Sequence, residues 1–290
     1  MSLPFKNKPG KALFPAFLAG LLASGAAWGQ AIEPGFDGNT LAANDDGSTG
    51  EVALPFEVCF FGVERSSLWV NNNGNLTFDA SLSTYTPFDL TSTGREIIAP
   101  FFADVDTSEA GDEVTYGTGM YGGRQAFGAN YVNVDYYSSS VDHTNRNSFQ
   151  VILVDRTDLG AGDFDIVFNY DQIEWEAGGA SGGDDNGLGG SSARAGFSNG
   201  TGVPGTFFEL AGSAVNGAFL DGGPNALISG SFGNNMAGRY VFESRGCSIV
   251  VPGMVTTPVP AGSPYAWLLL LLGVSLIGFV VLYQRRGTQE

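Results

Sequence analysis

The stretch APFFADVDT, residues 99–107, ends an apolar run with two carboxylates, Asp104 and Asp106, one residue apart. On an extended strand residues i and i+2 face the same side, so this pair can share a cation, and hard oxygen donors suit calcium. Asp112 and Glu113 follow closely enough to extend the set, which makes Asp104, Asp106 and Asp112 the candidate calcium ligands. Read as an EF-hand loop, DVDTSEAGDEVT offers oxygen at positions 1, 3, 5 and 9. It lacks the Gly at position 6 and ends in Thr115 instead of a bidentate Glu, so that pattern fails. The competing reading is structural, with Asp104 at the end of the core accepting backbone N–H bonds from the following loop, SEAGDEV.

Other chemistry is thin. His143 is the only histidine, and its polar surroundings, SVDHTNRN, mark it as a loop side chain rather than a general base. No G-x-S-x-G elbow opening a helix supports a Ser-His-Asp triad, and one His cannot build a histidine-rich zinc site. Glu174 and Glu176 flank Trp175, an arrangement that could line a sugar cleft by aromatic stacking, although DQIEW also reads as a strand end. Asp184 and Asp185 lie in GGASGGDDNGLGGSS, residues 178–192, where the Gly and Ser content predicts a mobile, solvated loop.

The elements that must position these residues are strands. Gly accounts for 43 of 290 residues without a collagen period, which points to many tight turns and an all-β, sandwich-like fold. SLWV and NLTF flank the turn residues NNNG, a hairpin signal because Asn and Gly tolerate positive φ. DFDIVFNY, residues 163–170, alternates as a half-buried strand, with Phe164, Ile166, Phe168 and Tyr170 on the inner face. YVNVDYY (131–137) alternates similarly, whereas the continuous apolar run FQVILV (149–154) belongs at a sheet centre. Between 32 and 250 no long helical period appears.

Residues 1–31 have the makings of a signal peptide: Lys6, Lys8 and Lys11, then ALFPAFLAGLLA, then a small-residue exit with cleavage after Gly29 or Ala31. Residues 265–283 carry no charge over 19 positions and at 1.5 Å per residue would span roughly 28 Å of hydrocarbon. The expected organisation is a β domain at 32–248, a Pro-rich tether at 249–264, a transmembrane helix at 265–284 and a cytoplasmic basic tail at 285–290. Residues 32–252 contain 29 acids against 8 arginines, a formal net charge of −21 that repels phosphates and rules out nucleic acid as a partner. Cys59 and Cys247, near the two ends of an exported domain, are expected to form a disulfide.

The blocks LWVNNNGNLTF, EIIAPFFADVDT, NSFQVILVD, FDIVFNYDQIEW, RAGFS and FELAGS, in that order, resemble the nidogen-like (NIDO) extracellular domain family over about residues 50–244. The resemblance implies an extracellular β domain associated with cell–matrix adhesion, and it carries no catalytic residues. The tail, VPAGSPYAWLLLLLGVSLIGFVVLYQRR, is similar to bacterial C-terminal sorting signals of the IPTL-CTERM and PEP-CTERM kind, which implies a sorting peptidase as a partner. The expected function is therefore adhesion or surface interaction without catalysis, by a protein that is membrane-anchored or released at the bacterial surface. Its partner would be an extracellular matrix or cell-surface protein or a glycan. The alternative is a carbohydrate-binding or carbohydrate-cleaving exodomain.

Overall fold

The turn residues NNNG bring their flanks together as expected. In the computed structural model, which describes Met1 and residues 31–139 and 144–251, Val63–Asn71 pairs antiparallel with Asn75–Thr77, and Asn71 faces Asn75 across the turn. Gly74 makes this turn possible: it has φ +71, and a Cβ there would lie 1.8 Å from the Phe101 carbonyl oxygen.

The described residues contain fifteen strands: β1 (Asn39–Leu41), β2 (Val52–Phe60), β3 (Val63–Asn71), β4 (Asn75–Thr77), β5 (Glu96–Phe102), β6 (Val105–Gly111), β7 (Val114–Tyr121), β8 (Arg124–Tyr136), β9 (Asn147–Asp155), β10 (Phe164–Ile173), β11 (Arg194–Asn199), β12 (Phe207–Glu209), β13 (Ser231–Phe232), β14 (Arg239–Arg245) and β15 (Ser248–Val250). The larger sheet runs β1-β7-β8-β9-β10-β14-β13, with β6 also on β8 and β15 also on β14. The second runs β12-β11-β5-β4-β3-β2. Among the described residues only β13 and β14 pair in parallel, so hairpin-type connections dominate there. Among the described residues the helical content is one 3-10 turn, Gly179–Ser181, and no helix there is long and apolar enough to cross a membrane. The segments expected as signal peptide and transmembrane helix lie outside the described residues, apart from Met1 and Ala31.

One core lies between the sheets. Leu68, Val70, Leu76, Ile98 and Phe101 of the smaller sheet share it with Phe149, Val151, Leu153, Phe164, Ile166 and Phe168 of the larger. FQVILV occupies β9 between β8 and β10, at the sheet centre as its unbroken apolarity predicts.

The strand DFDIVFNY departs from expectation, because its outer residues Asp165, Val167 and Asn169 are buried as well. The segment that precedes β1 covers Val167 and Asn169, while Asp165 is held by Arg156 and Arg245. Phe36 packs on Ala126, Ile152, Val154 and Val167. Arg239 donates from Nε to Asn169 Oδ1 (2.8 Å) and from Nη2 to the Ala31 carbonyl (2.7 Å), while the Ala31 amide donates to Asp171 Oδ1 at 2.6 Å.

Residues 131–137 also differ from simple alternation. A register shift falls between Tyr131 and Val134, where Asn133 adopts φ +56, so Val132 and Asn133 are both exposed.

The Gly-rich segment 178–192, expected to be mobile, folds onto itself. Glycines 182, 187, 189 and 190 take positive φ, and the amides of Ser191, Glu176 and Ala177 donate to the carbonyls of Ser181, Gly187 and Gly187. Asp184 is absorbed by this turn, accepting the amides of Asn186 and Leu188.

Cys59 and Cys247 are bonded across 188 residues, as their number and placement predict. The bridge ties β2 of the smaller sheet to the β14–β15 turn of the larger. In the chain-entropy model a loop of this length constrains the unfolded state by about 5 kcal/mol. Cys247→Ser is expected to lower unfolding free energy by several kcal/mol, and non-reducing peptide mapping should recover the 59–247 pair. Alkylation of both thiols in the folded, unreduced protein would refute the bridge.

Candidate metal centre

Asp104 sits between β5 and β6, 2% exposed, and its Oδ2 has no hydrogen-bond partner. It meets two acids that the sequence reading did not single out, Asp45 and Asp46 of NDDG, residues 44–47. One carboxylate oxygen from each of the three lies within 4.8 Å of the others. An acid pair before a glycine was the available signal, but nothing in the sequence linked it to residue 104.

The NNNG turn makes that link. Asn72 Nδ2 donates to the carbonyls of Asn44, Asp45 and Val105, which ties the acid pair to the first residue of β6. Asn73 Nδ2 donates to Asp46 Oδ1 at 2.8 Å, and its Oδ1 accepts the Val105 amide at 2.9 Å. Thr107 closes the clamp, since its amide and the Asn44 amide are exchanged for the Asn44 carbonyl and Thr107 Oγ1 at 2.9 and 3.0 Å. Of the turn's residues only Gly74 has positive φ, so the asparagines serve as buried donors rather than as turn formers. On the opposite side Gly178 leaves room for the carboxylate: a Cβ there would lie 2.4 Å from Asp104 Oδ2.

The expected roles of Asp104 and Asp106 are redistributed. The Val105 amide donates to the Ala103 carbonyl at 3.0 Å, a tight turn at Asp104 that breaks strict i, i+2 alternation. Asp106 takes the near donors, accepting from Ser108 N (2.7 Å) and Oγ (2.6 Å). Asp104 instead lies near the Ser181 backbone, across the site, whose influence lowers its pKa against the stronger effect of burial. Asp112 is exposed and accepts only a 3.3 Å contact from Asn133, while Glu113 accepts the Ala43 amide, so neither joins the cluster.

Electrostatics follow from this geometry. Burial first, then the charges of Asp45 and Asp46, push the Asp104 carboxyl up to about 7. Burial, Asp106 and Asp46 push Asp45 up to about 6. Among the described residues no cationic side chain offsets them, because all eight arginines there are engaged by other acids: Arg65 by Glu96, Arg95 by Asp79, Arg124 by Asp158, Arg146 by Asp135, Arg156 and Arg245 by Asp165, Arg194 by Glu209 and Arg239 by Glu33.

The remaining candidates are structural. Trp175 is 0% exposed and donates from Nε1 to the Val134 carbonyl, so its face cannot stack on a sugar. Glu176 is buried and accepts the amides of Gly217 and Phe219, both at 2.6 Å, while Glu174 accepts the Arg146 amide. GASGG, residues 179–183, has the letters of a nucleophile elbow but forms the 3-10 turn, with no strand-to-helix geometry. His143 lies outside the described residues.

The nidogen-like domain model matches residues 66–246. The chain belongs to the nidogen-like domain family. Alpha-tectorin of Mus musculus is 35% identical over 232 residues, covering 70% of this chain and 10% of that protein. Nidogen-2 of Mus musculus is 30% identical over 126 residues (43% of this chain, 8% of the relative), and nidogen of Drosophila melanogaster is 28% identical over 216 residues (66% and 15%). The nidogen-like chain thus spans about a tenth of the length of the curated relatives it matches. No solved structure matches it.

Asp45 and Asp104 of this nidogen-like domain hold protons more tightly folded than unfolded, and their contribution to stability has a defined sign. It is fully present below about pH 4 and is lost as pH rises through about 6 and 7. In chelator, wild type should therefore lose stability relative to Asp104→Asn between pH 4 and 8 in paired thermal melts. A difference that is flat across that range would contradict the arrangement.

Proposed function

We propose that this protein is exported and works by adhesion or surface interaction rather than catalysis, binding an extracellular matrix or cell-surface protein or a glycan. The family match over residues 66–246, together with relatives named alpha-tectorin and nidogen, carries the reading. The disulfide and the excess of acids over arginines suit a soluble domain in an oxidising compartment. In this reading residues 249–264 tether the domain and residues 265–284 hold it at the membrane or deliver it to a sorting peptidase. The alternative is a carbohydrate-binding or carbohydrate-cleaving domain; one arrangement for it, Glu174 and Glu176 around a stacking Trp175, is disfavoured because that indole is buried.

Of the two expected cleavage points, the one after Gly29 is favoured, because Ala31 is 1% exposed and is bonded at both its amide and its carbonyl. N-terminal sequencing of the exported protein should retain Ala31; a mature chain starting at Ile32 would argue against this. Pull-down from the native cell surface with the full chain, alongside a glycan array and a hydrolase screen, should return a surface protein or glycan and no turnover. Turnover of a polysaccharide would overturn the adhesive reading.

A further inference from the structure

We propose that Asp45, Asp46 and Asp104 form a calcium site that fastens the segment preceding β2 to the β5–β6 junction. The proposal does not depend on which surface ligand the domain binds. Proximity of three acids is not its main support. Asp104 is almost wholly buried, yet its Oδ2 has no donor, and Asp45 Oδ1 is likewise buried without a partner, while one oxygen of each acid lies within 4.8 Å of the others. A buried acceptor left unmatched is costly, and two of them beside a third carboxylate make a site that favours positive charge.

Among the described residues none supplies that charge, since each of the eight arginines there is paired elsewhere. Arg146, which pairs with Asp135 opposite Asp106 on β8, is held by that acid. An all-oxygen donor set selects a hard cation. Oxygens within 4.8 Å of one another fit ligands at about 2.4 Å from one calcium ion. Magnesium demands near-ideal octahedral geometry and gives up its waters reluctantly, whereas calcium accepts a flexible carboxylate set, which favours the larger ion. Three carboxylates leave further positions for water or backbone carbonyls, as calcium's coordination number of 6–8 requires.

The site is built rather than incidental. Asn72 and Asn73 fix the acid pair from one side, and Gly178 provides the space that the Asp104 carboxylate occupies. A ligand that binds only the folded state raises its Tm with occupancy.

The test uses the full chain with its disulfide intact, stripped with chelator and melted in chelator, in millimolar calcium chloride and in millimolar magnesium chloride. Wild type should gain several degrees in calcium and less in magnesium. Asp104→Asn and Asp46→Asn should abolish the gain and weaken calcium binding at least tenfold by calorimetry, whereas Asp112→Asn should leave both unchanged. In chelator Asp104→Asn should melt at or above wild type and in calcium below it, a crossover that a purely structural acceptor would not produce. Three results would overturn the proposal: no calcium-dependent gain in wild type, the same gain in Asp104→Asn and Asp46→Asn, or an equal loss for Asp104→Asn with and without calcium. An equal gain in magnesium would overturn the assignment to calcium.

Discussion

Four asparagines, at 71, 72, 73 and 75, are buried in and around one hairpin turn, and the arrangement of the surrounding loops depends on their being satisfied. A primary amide in the interior must find partners for its donors and its acceptor or it costs stability. Here many of the partners belong to segments remote in sequence. Asn72 gathers the carbonyls of Asn44, Asp45 and Val105, and Asn71 Oδ1 accepts the Leu82 amide and the Ser48 hydroxyl. Tyr131 of β8 completes the set by donating its hydroxyl to the Asn71 carbonyl at 2.7 Å. The turn therefore joins both sheets and the chain that precedes β2, and Gly74 allows it to sit directly on Phe101. Because each amide has one geometry that serves all its partners, the network fixes the positions of the acids around Asp104 without any of those acids having to attract one another.

A second constraint concerns the outer face of the larger sheet. An antiparallel sheet of this kind can leave one face to water. Here the residues from Ala31 to Phe36 cover it, with an apolar centre at Phe36 and a polar margin in which Arg239 is shared by Asn169, Ala31 and Glu33. Gln150 bridges the same margin, donating to the Glu33 carbonyl and to Asn130. Burying β10 on both sides turns an alternating strand into a core strand, and the cover is supplied by the first described segment of the domain.

Much of this was legible in the sequence, and the failures share a cause. The all-β class, the NNNG hairpin, the central placement of FQVILV and the Cys59–Cys247 pair all follow from periodicity, turn chemistry or cysteine number, which are local or compositional signals. What periodicity could not show was contact between distant segments. DFDIVFNY alternates as a half-exposed strand does, and only the docking of Phe36 buries Val167. Residues 178–192 have the composition of a mobile linker, yet their glycines permit the positive-φ turns that let the segment bond to itself. Asp104 was identifiable as a carboxylate that needed donors, but its neighbours were sought in the adjoining loop, whereas the side chains beside it are the acids Asp45 and Asp46.

The charge distribution then explains why this one site differs from the rest of an acidic domain. Asp165 lies between Arg156 and Arg245, Asp135 faces Arg146, and Glu176 is met by two backbone amides, so these buried or half-buried carboxylates have donors supplied by the chain. Asp106 is served by Ser108 in its own turn. Only around Asp104 does burial coincide with an excess of acceptors over donors among the carboxylates described above. Protonation relieves that excess at low pH, which is what the raised values for Asp104 and Asp45 express. Above those values the same oxygens repel one another unless a positive charge comes from solvent, and a divalent ion does this without moving the backbone that the asparagine turn has already fixed.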